Sequence, residues 1–194
     1  MFGYKVRKRL LPAFAAIFVL GGCALSPQNV TIAPAVNSSA SQIALNGPVT
    51  VTVYDQRATP WIGDRGGVYS GNKIGIANSI QDGVRTSVEK VLLESGMQPG
   101  NSATAPQFQV FIDNLTYSVP AESYITKVDL KANIRVVVRT ESGVYEGSYG
   151  AQESRRVLKA PSDEDNQIMI NEILGAAILR AFEDPGLMRY MARI

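Results

Sequence analysis

Residues 127–139 read KVDLKANIRVVVR. Val128, Leu130, Ala132, Ile134, Val136 and Val138 fall on one side of a period of two, and Lys127, Asp129, Lys131, Asn133, Arg135 and Arg139 on the other. That alternation predicts a strand in a sheet with one buried and one wet face. Glu141-Ser142-Gly143 then predicts a hairpin into Val144–Ser154, where Tyr145, Gly147, Tyr149 and Ala151 share a face. Upstream, Phe108, Val110 and Ile112 alternate with Gln107, Gln109 and Phe111 in a strand running towards Tyr117. Val49, Val51 and Val53 form a further half-buried strand, bracketed by Gly47-Pro48 and Asp55.

Two stretches change period. From Ser79 the apolar set Ile80, Val84, Val88, Val91 and Leu92 follows helical spacing and ends at Ser95-Gly96. Ser162 opens a second helix as its N-cap, with Asp163, Glu164 and Asp165 in the positive first turn and Ile170, Leu174, Ala177, Ile178 and Phe182 on one stripe. Asp184-Pro185 starts a short last helix carrying Leu187, Met191 and Ile194. The order β-α-β-β-β-α predicts a two-layer α+β fold. It has a roughly four-stranded mixed or antiparallel sheet, two helices packed on one face and a short C-terminal helix.

Composition narrows the chemistry. The chain has 194 residues, 45% apolar and 19% charged, which supports a real core. It has no histidine and one cysteine. Ser-His-Asp and Cys-His catalysis and the common zinc sets are thereby excluded, and no internal disulfide can form.

The cysteine ends a legible segment. Four cations in residues 5–9 precede the apolar run LLPAFAAIFVL and then Leu20-Gly21-Gly22-Cys23. Basic, apolar and small-residue regions in that order predict a secretory signal peptide over residues 1–22, and its run of about 11–13 apolar residues is too short to span a bilayer. Cleavage removes Lys5, Arg7, Lys8 and Arg9 and no acid, so 15 cations face 17 anions and the formal charge moves from +2 to −2. No basic cluster with interleaved aromatics remains, so neither nucleic acid nor nucleotide is expected as a ligand.

Leu20-Gly21-Gly22-Cys23 resembles the lipobox of bacterial lipoproteins. The resemblance implies cleavage before Cys23, a diacylglycerol on its thiol and a further acyl chain such as palmitate on its amino group. Ala24 in place of Asp implies sorting to the inner leaflet of the outer membrane, facing the periplasm. Residues 23–47, poor in charge and regular pattern, are expected to be the lipidated cysteine and a tether, and residues 48–194 a single periplasmic domain. A first strand through Val30-Thr31-Ile32 is the alternative for part of that tether.

Over nearly the whole mature chain the residues resemble the YajG-type lipoproteins of Gram-negative envelopes. The resemblance rests on the lipobox, VTVTVYDQR ending at Asp55-Gln56-Arg57, the helix closing on Ser95-Gly96-Met97, QFQVFIDNLTY, and DPGLMRYMARI. Met97 departs from the aromatic expected there. The family implies an anchored envelope protein of unestablished biochemical role.

Several local motifs have bland readings. Ser87-Val88-Glu89-Lys90 fits S-x-x-K without the companion elements of penicillin-binding enzymes. The glycines after Gly66 lack the Gly-Lys-Ser/Thr junction of a phosphate loop. Asp55 and Arg57 favour a structural ion pair over a ligand clamp. The sharpest candidate is the loop Asp55–Gly75, where Arg57, Trp61, Arg65 and Tyr69 are residue types that anchor partner surfaces. The expectation is therefore a non-enzymatic accessory module, without metal or cofactor, that docks an envelope protein. The alternative is a binder of peptidoglycan or lipopolysaccharide using Lys127, Lys131, Arg135 and Arg139 on the wet face.

Overall fold

The structure is a computed structural model that describes residues 27–37, 44–102, 104–120 and 126–194. The expected signal peptide, lipobox and Cys23 lie outside the described residues. The elements in order are β1 (Gln28–Val30), β2 (Pro48–Asp55), β3 (Gly63–Asp64), β4 (Lys73–Ile76), α1 (Ile80–Glu94), β5 (Gln98–Pro99), β6 (Gln107–Ser118), β7 (Thr126–Thr140), β8 (Gly143–Val157), α2 (Asp163–Phe182) and α3 (Pro185–Met191).

The four long strands expected from alternation are β2, β6, β7 and β8, and both long helices and the short last one are where periodicity put them. Among the described residues the sheet nevertheless has eight strands instead of four, because β1, β3, β4 and β5 add two to four residues each. Segments that short carry no readable period. β6 is the spine. One edge pairs antiparallel with β7 along its length. The other edge pairs in parallel with β2 over Gln107–Ile112 and with β3 at Tyr117, so the sheet forks there. β7 and β8 then form a hairpin of 15-residue strands.

Helices line one side of this sheet. Val128, Leu130, Ala132, Ile134, Val136 and Val138 of β7 are buried with Ile170, Leu174, Ala177 and Ile178 of α2 in a single core. The opposite face departs from its expected polarity in two places. Val137 is buried there, and Tyr54 stacks on Phe111 with ring centroids 4.9 Å apart. Ser162 caps α2 in a closed capping box, its hydroxyl accepting from the Asp165 N–H while the Asp165 carboxylate accepts from the Ser162 N–H. One of the three acids of that first turn is thus spent on the cap.

The expected tether is corrected in part, because residues 28–35 are built into the body. β1 pairs in parallel with β4, and Val30 and Ile32 are fully buried. Four successive residues are held by side chains from distant elements. The Thr31 N–H donates to Gln167 Oε1 at 2.8 Å and the Ala33 N–H to Asn171 Oδ1 at 2.7 Å. The Ile32 N–H donates to Asn78 Oδ1 at 2.8 Å, and the Ser87 hydroxyl donates to the Pro34 carbonyl at 2.6 Å. Two helical glycines let the chain approach. A Cβ on Gly83 would lie 2.1 Å from the Ile32 carbonyl oxygen, and one on Gly175 2.6 Å from that of Ala35.

Candidate functional site

The loop after β2 is organised by two aspartates. Asp55, at the strand end, accepts two parallel hydrogen bonds at 2.8 Å from Arg57 Nε and Nη2. This fork geometry is the strong form of a guanidinium–carboxylate pair. The Arg57 side chain is only 5% exposed, and its Nη1 has no hydrogen-bond partner. Arg57 therefore closes the end of β2 and is not presented to a partner.

Asp64 does the same work further on. Its carboxylate accepts from the Gly66 N–H and the Gly71 N–H, both at 2.8 Å, and from Lys73 Nζ at 3.3 Å. Partial burial pushes its pKa up, but the two backbone N–H bonds and the lysine outweigh this and hold it below the ordinary value. The β3–β4 hairpin is thus wound around one carboxylate.

Trp61 stands beside this wound turn and is 42% exposed. Lys73 Nζ lies 5.8 Å from its ring centroid, and the Thr59 hydroxyl donates to its carbonyl at 2.9 Å. The Arg65 guanidinium lies 4.3 Å from the Tyr69 ring centroid. The expected quartet therefore separates into Trp61 with Lys73, Tyr69 with Arg65, and Arg57 turned inward. Asp64 and Lys73 were missed by sequence reasoning. Their signal was an aspartate two residues ahead of a Gly-Gly pair, the spacing at which a carboxylate caps the following turn.

The four cations of the open sheet face are brought onto one strand but not to one point. Lys127 and Arg139 are twelve residues apart, which on a strand is about 40 Å. Lys127 pairs with Asp129 at 3.0 Å. Asp129 is held below its ordinary pKa, first by the Ser154 hydroxyl and then by Lys127. Arg135 lies 4.3 Å from the Phe111 ring centroid, 3.6 Å from both Asp113 and Glu146, and donates to Gln56 at 3.0 Å. Arg139 donates to Gln109 Oε1 at 3.3 Å. Lys131 lines a polar cavity of about 490 Å³ with Thr116, Ser118, Asp129, Gln152 and Ser154. An apolar and basic groove of about 580 Å³ runs between the end of β8 and the start of α2, past Arg156, Leu158, Lys159 and Ile168.

Other polar groups are committed to the fold. Asp184 caps α3 through the Gly186 N–H at 2.8 Å and accepts from the Tyr145 and Tyr149 hydroxyls. Those hydroxyls, with the Gly186 and Leu187 N–H groups, outweigh desolvation and hold its pKa below the ordinary value. Ser87 lies against the Pro34 and Gly83 carbonyls while Lys90 extends to Glu94 at 3.9 Å, so the S-x-x-K residues do not meet as nucleophile and base. Among the described residues, no three His, Cys, Asp or Glu side chains converge as a metal site, and no helix is long and apolar enough to cross a membrane.

Comparison with known proteins places this geometry in context. Residues 34–192 match a family model described as uncharacterized lipoprotein. Similar solved structures include a protein from Xanthomonas campestris at 14% identity, covering 87% of this chain and 95% of that one with a TM-score of 0.46. A minor lipoprotein from Acinetobacter baumannii aligns at 11% identity over 75% of this chain and 92% of that one, TM-score 0.41. The rare lipoprotein B from Shewanella oneidensis aligns at 9% identity over 74% and 94%, TM-score 0.42. No curated protein matches the chain in sequence.

Proposed function

The chain belongs to the family of uncharacterized lipoproteins, and on that premise we propose that it is a non-enzymatic accessory module of the cell envelope. In this reading residues 1–22 are removed on export and Cys23 carries the lipid. Ala24 directs the protein to the inner leaflet of the outer membrane, and the folded body faces the periplasm. The narrower likeness to YajG-type lipoproteins, carried by the motifs quoted above, belongs to the same proposal.

One observation carries the contact role: Trp61 is exposed on a loop pinned by Asp64 and Lys73. A large aromatic held in one place loses little freedom on docking, and tryptophan with neighbouring cations is the composition of an anchor point. The occupant is a periplasmic or membrane protein of the envelope. In-cell crosslinking of the full chain tests it: Trp61→Ala should keep the melting temperature and lose the crosslinked protein. Retention of every crosslinked product by the folded variant would overturn the reading.

A second reading, a binder of envelope glycan or lipid, is favoured by the open face. There Tyr54 is 40% exposed and stacks on Phe111 beside Arg135, a surface on which a sugar ring can lie. Lys131 and Arg139 add charge on the same face. Purified protein should then be retained by peptidoglycan or lipopolysaccharide at low salt, where exposed cations attract most strongly. Absence of retention at low salt removes this reading and leaves the first.

A further inference from the structure

β8 is an edge. Among the described residues it pairs only with β7, over all 15 of its residues. The Gly150 carbonyl accepts from Arg180 outside the ladder, so it points away from β7. By the two-residue period, the backbone groups of Val144, Glu146, Ser148, Gln152, Ser154 and Arg156 point away with it. Edges of this length are usually shortened, covered or crossed by prolines, because open N–H and C=O groups are a template for another strand. Among the described residues, none of those devices is present along β8 apart from the Arg180 contact. Its side chains on the open face are exposed, and both ends carry apolar groups: Val144 is 54% exposed and Leu158 fully so.

We propose that β8 pairs antiparallel with β8 of a second copy of this chain, about a two-fold axis at Ala151. The choice of occupant and register rests on charge. An antiparallel pair centred on Ala151 sets Glu146 of each copy opposite Arg156 of the other, Ser148 opposite Ser154, Gly150 opposite Gln152 and Val144 opposite Leu158. Opposed charges on a strand pair are stabilising, and the two exposed apolar ends cover one another. Moving the centre to Gly150 sets Arg156 against Val144. Moving it to Gln152 sets Glu146 against Leu158. Both shifts leave Arg156 without an acid opposite it, and Glu146 with only Arg135 of its own chain at 3.6 Å. A symmetric contact of this kind uses one patch on both copies and closes without further growth. The Gly150 carbonyl has two lone pairs, so its bond from Arg180 leaves one for the Gln152 N–H of the second copy. The joined sheet would continue through β7 and β8 of both copies, with the helices of both on one side.

The full lipidated chain in detergent tests this with two differently tagged forms, one Ser148→Cys and one Ser154→Cys, treated with a short thiol crosslinker. The register puts position 148 opposite position 154, with α-carbons about 5.5 Å apart, and leaves like positions about 20 Å apart. Mixed crosslinked dimers are expected, and homodimers of either form are not. Glu146→Arg alone and Arg156→Glu alone should each lower the dimer fraction about fivefold, since two opposite-charge pairs become like-charge pairs. An equimolar mixture of those two variants restores both pairs and should recover the mixed dimer. All four variants lie on exposed positions, and unchanged melting curves confirm that they fold. Absence of crosslinking at about 100 μM, equal yields of mixed and like products, or no recovery in the mixture would each overturn the proposal.

Discussion

Two segments without readable periodicity, residues 28–35 and residues 55–76, become ordered in opposite ways. The loop from Asp55 to Ile76 supplies its own partners: Asp55 holds Arg57, and Asp64 holds Gly66, Gly71 and Lys73, all within nine residues. The N-terminal segment supplies almost none. Its backbone bonds run to β4 and to Asn78, Ser87, Gln167 and Asn171, 46 to 140 residues away. The first kind of order is made largely by local contacts, although β3 and β4 also pair with β6 and β1. The second exists only once α1 and α2 are both in place, and it ties them together in return.

That contrast can be broken most severely at the helical glycines. Gly83→Val places its Cβ against the Ile32 carbonyl with no flexible atom to yield, so the segment must leave its seat between the helices. A loss of about 3 kcal/mol or more is expected, as for other overpacked buried positions, read as a fall in the urea midpoint. An unchanged midpoint would mean that residues 28–35 are not part of the cooperative unit.

A smaller effect is expected at Asn171, which accepts from the Ala33 N–H and donates to the Thr31 carbonyl at 2.8 Å. Asn171→Leu removes both hydrogen bonds, at a cost of about 2 kcal/mol. It should also raise amide exchange at residues 31–33 while leaving residues 63–73 untouched. Exchange rising equally in both segments would show that the two are not independent.

The smallest effect is expected in the self-contained loop. Asp64→Asn keeps the shape and removes the charge that Lys73 and the two N–H groups recognise, which costs about 1–2 kcal/mol. The pKa of Asp64 is lower in the fold than its ordinary value of 3.8. Its charge therefore stabilises the fold fully above that value and progressively less as pH falls through the folded pKa. The difference between wild type and variant should accordingly be constant from neutral pH down to about pH 5 and shrink below pH 4. A gap that persisted unchanged at pH 3 would show that the carboxylate charge does not hold the loop.

The same division decides what could be read in advance. Alternation in β7 and β8, the helical stripes and the Ser162 cap are local statements, and each element formed where they pointed. The ion pair of Asp55 with Arg57 was also legible, since two residues on a strand end are within reach of each other. The four cations on β7 were placed on one face correctly. Pattern could not say that Arg135 lies against acids, because Asp113 and Glu146 arrive from β6 and β8. Nor could it say that Arg57 turns inward while Trp61 turns out, since that depends on how the loop crosses the fork between β2 and β3.

By itself, the sequence determined the α+β class, the exclusion of histidine chemistry and the expectation of a lipid on Cys23. These follow from composition, period and one short motif. Tertiary structure alone decided that the supposed tether is partly a structural strand, that the sheet forks at β6 and that, among the described residues, β8 pairs on one edge only. The physical reason is range. Hydrophobic period and capping act within a few residues, whereas backbone groups of an irregular segment are satisfied by whichever side chains the folded chain brings to them.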